Sequence, residues 1–427
     1  MDFIANQSSQ IQEMLEVIGI TDPTQLYRDI PNSLILPPPK VDDGLSEYEG
    51  LQWMRQLSKK NTFVDDDNYL GAGAYEHHIP AICDAIGSRS EFLTAYTPYQ
   101  AEASQGMLQT IFEFQTAVCA LTGMDVANAS VYDGASACAE ALLMALRLHR
   151  GKRKVILVSE PIHPHYRKVI DQYLENHDVT LKAFSSKEDL DDQVAALLVS
   201  YPNFHGVIED FQPLFEEARK KGILNVVLAN PLIYGLFPSA KALGGDIAVG
   251  DLQPFGLPMR FGGPFVGYMA TRRELVRQLP GRIVGRTEDD SGRTGYVLTM
   301  QAREQHIRRE KATSNICTNQ AHAALLSLIA ILWYGKEGVK ELALANYRRA
   351  AYLKEGLSKI PGVKVLGDNH LNEFVVRFNR DVVEHFRKNH IQPGVPLENH
   401  SLLVAVTETK SKEQLDRYLK VAAEAMR

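Results

Sequence analysis

The chain has 427 residues, 45% of them apolar and 23% charged, with a formal net charge of −6. That length suffices for one large or two ordinary domains around a sizeable core. The charge balance excludes a global basic field for nucleic acid and an acidic tail.

The opening stretch MDFIANQSSQ has no basic region followed by an apolar one, so no signal peptide is expected. Residues 1–60 read as an arm. IQEMLEVIGI is a short amphipathic helix, and Thr21 or Asp22 before Pro23 starts a second. SLILPPPK is then extended, because its prolines forbid helix. The arm has few ways to bury its own apolar residues and is expected to lie against another surface. From Ser104 to Met124 apolar residues recur at helical spacing. Strands and helices then alternate: KVILVSE as strand, PHYRKVIDQYLENH as helix, VTLKAF as strand and KEDLDDQVAALL as helix. HGVIEDF, FEEARKKG, LNVVLAN and GGDIAVG continue the alternation, and PFVGYMA closes it. This predicts an α/β class with a mostly parallel sheet covered by helices on both faces. After Thr313 a helix pair (about 317–335 and 337–359) precedes VKVLG, EFVVRFN and SLLVAVT, a smaller α+β unit. The expected division is an arm at 1–60, a large α/β domain at 61–314 and a small α+β domain at 315–427. The longest apolar run, Ala323 to Tyr334, is short of the ~20 residues that span a bilayer. Cys83, Cys119, Cys138 and Cys317 form no Cys-x-x-Cys pair and read as small core residues in a reducing, cytoplasmic setting.

Several stretches suit ligands. GDLQPFGLPMRFGGP, Gly250 to Pro264, is a glycine- and proline-rich loop after a strand, yet its only titrating groups are Asp251 and Arg260. Asp133-Gly134-Ala135-Ser136 opens a helix with small residues, which suits either a phosphate or a plain Asp133 cap. His163 with His165, and His77 with His78, lack a third ligand nearby, so no metal site is expected. Tyr96 and Tyr99 flank Thr97-Pro98 ahead of a helix, a place for ligand contacts or for packing. Arg303, Arg308, Arg309 and Lys311 precede Thr313-Ser314-Asn315 and an apolar helix, so this basic segment is either a solvated face or an anion site.

YLGAGAYEHHIPA, FLTAYTPYQAEASQG, ASVYDGASACAEA and REQHIRREKATSNICTNQA together resemble the N-terminal half of glycine decarboxylase, the P-protein of the glycine cleavage system. The resemblance runs the length of the chain, which matches the first subunit of the split form of that family. It implies the fold of pyridoxal-phosphate (PLP) enzymes of the aspartate aminotransferase type, fold type I. Catalytic members hold the cofactor on a lysine in a motif His-Lys-x-Phe-x-x-Pro followed by glycines. Here Phe255, Pro258, Gly262 and Gly263 match, and the lysine position is Gln253. An amide cannot form the covalent link or move protons. The aspartate that pairs with the pyridine nitrogen falls on Ala229, one residue before Asn230. His163 matches the residue that stacks on the ring, and Ser136 stands in the phosphate cup. The resemblance thus implies a vestigial site and a non-catalytic subunit.

It also implies PLP held by a homologous subunit 2, glycine as substrate, and transfer of the aminomethyl group to lipoylated H-protein. The T- and L-proteins are indirect partners. Neither nucleic acid nor a membrane is expected as a partner. Thr313, with Ser314 and Asn315, is expected to reach the phosphate of the partner's PLP, with capping of the following helix as the alternative. Tyr96, Tyr99, His77, His78, Arg308 and Arg309 are expected along the shared pocket and interface. Two rivals stand beside this reading: a stand-alone PLP enzyme using another lysine such as Lys241, and a non-enzymatic scaffold paralogue.

Overall fold

The computed structural model describes residues 6–37, 40–61, 66–316 and 319–427. These form two compact units, 1–62 and 63–427. In the first, helices Ser8–Ile18 and Glu47–Ser58 are joined by short 3-10 turns. The second of these helices starts on a capping box, in which the Glu49 N–H donates to Ser46 Oγ and the Ser46 N–H donates to the Glu49 carboxylate. Asp22 takes the Thr24 N–H, but Pro23 to Tyr27 form only a 3-10 turn where the sequence suggested a helix.

The second unit is built on a seven-stranded sheet. Its strands are β1 (Val126–Ala127), β2 (Val155–Val158), β3 (Thr180–Ala183), β4 (Val194–Tyr201), β5 (Leu224–Ala229), β6 (Ile247–Asp251) and β7 (Gly267–Thr271). Their spatial order is β1-β7-β6-β5-β4-β2-β3. The five strands from β6 to β3 run parallel, while β7 near one edge pairs antiparallel with β6 on one side and with the short β1 on the other. Helices α1 (Gln105–Thr122), α2 (Gly134–Leu148), α3 (Pro164–Leu174) and α4 (Gln212–Lys220) cover the sheet. Separate apolar clusters fill the two faces: Phe114, Val118 and Phe215 pack on one, and Leu142, Met144 and Ile170 on the other. Every residue of β4 is buried, as a central parallel strand requires.

That burial corrects one expectation. Of KEDLDDQVAALL, only Lys187–Asp189 is helical, and as a 3-10 turn, while Val194 onward is strand β4. HGVIEDF is not a strand either; its one ladder contact is the bridge from Val207 to His370.

Helix α5 (Ala321–Ser358) joins the sheet to a C-terminal antiparallel sheet. It breaks at Gly335, whose φ of 59° and ψ of −174° are not helical. The expected helix pair is therefore a kinked rod, and its first turn begins at Ala321. Cys317, where the sequence placed that start, lies outside the described residues. The C-terminal sheet contains β8 (Val363–Leu366), β9 (Glu373–Phe378), β10 (Val395–Pro396) and β11 (Ser401–Ala405), in the order β8-β9-β11-β10. Helix α6 (Lys412–Ala425) closes over it, burying Tyr418 against Tyr69 and Phe386. Among the described residues no helix is long and apolar enough to cross a membrane.

Candidate functional site

The carboxyl ends of β2, β4, β5 and β6 meet the start of β9 around a cavity of about 80 Å³. In open α/β sheets this edge is where ligands bind. His163, Ala229, Asn230, Asp251 and Glu373 line it. Gln253 stands just beyond, fully buried. Its Nε2 donates to the carbonyls of Tyr75 (2.9 Å) and Leu257 (3.0 Å), and its Oε1 accepts the Tyr75 N–H at 3.1 Å. The amide is a structural pin between the loop and residue 75, with both its donors used.

The turn that opens α2 is also occupied. Asp133 caps the helix by accepting the Ser136 N–H at 2.7 Å. Asp251 Oδ1, from the end of β6, accepts the Gly134 N–H at 2.8 Å, and Tyr166 donates its hydroxyl to the other oxygen. A Cβ on Gly134 would stand 2.8 Å from Asp251 Oδ2 and 2.6 Å from Tyr166 Oη, so only glycine fits beneath this carboxylate. The chain's own carboxyl group sits where a helix N-terminus would hold a phosphate. Burial pushes the Asp251 carboxyl up to about 7, against the hydrogen bonds of Tyr166 and Gly134. Across the cavity Glu373 accepts the Ala72 N–H at 2.6 Å and the Tyr75 hydroxyl at 2.9 Å, and burial raises it to about 7 as well.

His163 is tied at both nitrogens, Nδ1 accepting the His165 N–H (3.0 Å) and Nε2 meeting the Ala72 carbonyl (2.8 Å). Burial lowers its pKa. Ala229 leaves β5 without a carboxylate, and its carbonyl accepts the Tyr268 hydroxyl at 3.0 Å. These residues do not fit a covalently held pyridoxal phosphate: Gln253, which the resemblance sets against the lysine, is a bonded amide, the turn it sets against the phosphate cup holds a carboxylate, and the space between is small. Lys241 does not line the cavity; it pairs with Asp125 at 2.5 Å.

A second, larger cavity of about 940 Å³ lies along the outer side of α2. Thr313, Ser314 and Asn315 line it together with Glu140 and Arg147. Ser314 Oγ donates to Glu140 Oε1 at 2.8 Å, and Thr313 makes only a long bond, 3.4 Å, to the Arg303 carbonyl. Helix α5 starts at Ala321 with Gln320 before it, so Thr313 does not cap it. Arg308 and Arg309 are exposed on the preceding turns.

The remaining expected residues are dispersed. Tyr96 is 78% exposed, whereas Tyr99 accepts a hydrogen bond from Arg282 (2.9 Å) and stacks edge-on with His306. His77 is not at a surface: its Nδ1 lies 2.9 Å from Glu408 in a buried pair. Burial opposes the charge on Glu408, but His77, the His78 N–H and Asn346 bring its carboxyl down to about 2. Reading the sequence missed Tyr166, Glu373 and Glu140, and marked Asp251 only as a titrating group of its loop. One signal was present for Glu140, an acid in the otherwise small and apolar run GASACAEALLMAL.

A family model of the glycine cleavage system P-protein matches residues 1–422. The chain is 61% identical to the probable glycine dehydrogenase (decarboxylating) subunit 1 of Protochlamydia amoebophila (strain UWE25), over 99% of this chain and 100% of that one. It is 46% identical to the protein of the same name from Desulfitobacterium hafniense (strain DSM 10664 / DCB-2), over 98% of each. A crystal structure of glycine decarboxylase (P-protein) of the glycine cleavage system, in inhibitor-bound form, superposes with a TM-score of 0.93 at 39% identity, covering 100% of both chains. A sphingosine-1-phosphate lyase from Burkholderia pseudomallei K96243 shares the fold alone, with a TM-score of 0.65 at 16% identity over 92% of this chain and 93% of that one. The architecture is fold type I of the pyridoxal-phosphate enzymes, and the chain belongs to the glycine cleavage system P-protein family.

Proposed function

We propose that this chain is the non-catalytic subunit 1 of a two-chain P-protein, and that a homologous subunit 2 carries the PLP. The assembled α2β2 enzyme decarboxylates glycine and passes the aminomethyl group to the lipoyl arm of H-protein. The observation that carries this reading is the filled cleft. Gln253 is bonded to the backbone of Tyr75 and Leu257, and Asp251 lies on the N-terminus of α2. A cofactor phosphate would meet that carboxylate rather than free N–H groups. The role left to this chain is to complete the partner's pocket. Tyr96, Tyr99, Thr313, Arg308 and Arg309 are the side chains proposed for that wall. His77 is withdrawn from it, because Glu408 holds its ring inside the fold; His78, exposed and tied to Glu408 only through its N–H, stays among the proposed side chains.

The test is to purify the chain alone and with subunit 2. The lone chain should show no pyridoxal absorbance, no glycine–bicarbonate exchange and, after borohydride, no pyridoxyl-lysine by peptide mapping. The pair should show all three, with the label on subunit 2. A stoichiometric adduct on Lys241 or any other lysine of this chain would overturn the reading. Gln253→Lys should not restore activity. It loses the amide's hydrogen bonds to residues 75 and 257, and Ala229 and Asp251 remain as they are.

A further inference from the structure

The large cavity beside α2 has a wall that the fold alone does not explain. Glu140 is 3% exposed, and only one of its oxygens is used, by Ser314. Its Oε2, with Nε and Nη2 of Arg147, is buried and has no hydrogen-bond partner among the described residues. Burial raises the pKa of Glu140 and lowers that of Arg147, and their mutual attraction offsets this only in part. Buried charges left this way are costly unless something pairs with them. A water or two could bridge such groups, but a space of about 940 Å³ is far larger than that need.

The spacing describes the missing occupant. Glu140 and Arg147 are two turns apart on one helix face, about 10 Å along the axis. An extended chain covers that distance in about three residues. The acid needs a donor and the guanidinium needs an acceptor, the two groups that every residue of a polypeptide carries. Arg150 and His177 at the rim add donors toward carbonyls or carboxylates.

We propose that this cavity is the seat of an extended segment of the second subunit, with Glu140 accepting an N–H and Arg147 donating to a carbonyl or carboxylate. This rests on the two-subunit reading above. Glu140 is then a specificity element of the interface, and its unpaired state in the single chain is the cost of keeping the seat ready.

The seat makes an unusual pair of demands on one substitution. Glu140→Gln keeps the shape and an acceptor for Ser314 but removes the buried charge. It should leave the melting temperature of the full lone chain unchanged or higher, because the unpaired charge is gone. It should raise the dissociation constant of the complex with subunit 2 about tenfold, the loss of one hydrogen bond to a charged group. Arg147→Met should do the same. If both variants bind subunit 2 as tightly as the wild type, the seat is wrong although the two-subunit reading stands. If melting temperature and affinity fall together, the pair supports this fold only, and the proposal is overturned. A glycine-dependent rise in the lone chain's melting temperature that Glu140→Gln abolishes would assign the cavity to a free amino acid instead, and also overturn it. A wild-type chain that does not associate with subunit 2 at all would remove the two-subunit reading itself.

Discussion

At the scale of single residues, the cleft has traded a cofactor for internal pairing. Asp251 and Glu373 each reach about 7, with burial as the leading cause, against about 4 in an unfolded chain. A carboxyl with a raised folded pKa binds its proton more tightly in the native state. Its contribution to stability is complete below the unfolded pKa and is lost as pH rises through the folded one. The two acids should therefore make the chain less stable as pH climbs from about 4 to about 7. Glu408, lowered to about 2, works in the opposite sense, losing its contribution as pH falls below about 4. Asp251→Asn and Glu373→Gln carry no proton to lose. Melting curves across that window should show each variant gaining on the wild type as pH rises. Curves that stay parallel would mean that neither carboxyl titrates there. Nothing in the sequence announced this pairing. Asp251 stood out as the one acid of its loop, but Tyr166 and Gly134 become its partners only when β6, α3 and α2 converge at one sheet edge.

At the scale of elements, what the sequence disclosed depended on whether local pattern and tertiary role agreed. The cap of α2 at Asp133 and the parallel sheet followed from residue types and alternation. Strand β4 did not, because VAALLVSY is buried on both faces and has no period-two signal to separate it from a buried helix. GVIEDF is apolar enough for a strand but lies outside the sheet, with Val207 bridging His370 alone. Helix α5 shows the same limit. Its break was legible as a boundary near residue 336, and its cause is Gly335 with φ 59° and ψ −174°, a region that only glycine occupies comfortably. Beyond the chain neighbours and the helix's own backbone, no atom lies within 4 Å of a Cβ built there, so the strain of a larger residue would be in the local backbone. Gly335→Ala should destabilise the chain by about 1–3 kcal/mol in denaturant unfolding. An unchanged midpoint would show that α5 can straighten without loss.

At the scale of the whole molecule, the exposed basic turns with Arg308, Arg309 and Lys311 stand outside the lining of the filled cleft. That arrangement makes Thr313 the sharpest test of how the proposed enzyme divides its labour. Its hydroxyl has little to do in the single chain. The one bond it makes among the described residues, to the Arg303 carbonyl, is 3.4 Å long, and the helix that the alternative reading had it cap begins at Ala321. Loss of a well-made cap would cost ~1 kcal/mol; that cost should be absent here. If subunit 2 holds the cofactor and this segment completes its phosphate cup, the hydroxyl gains a strong acceptor on assembly, because a phosphate near neutral pH carries close to two charges. Arg308, Arg309 and Lys311 on the preceding turns raise the positive potential in the same direction. Thr313→Ala should therefore leave the lone chain's melting temperature unchanged and raise the assembled enzyme's dissociation constant for pyridoxal phosphate about tenfold, as expected for a lost charged hydrogen bond of ~1.5 kcal/mol. Thr313→Ser, which keeps the hydroxyl, should recover most of the affinity. An assembled Thr313→Ala enzyme that binds the cofactor as tightly as the wild type would show that this segment does not reach the partner's phosphate. The cup would then be complete within subunit 2.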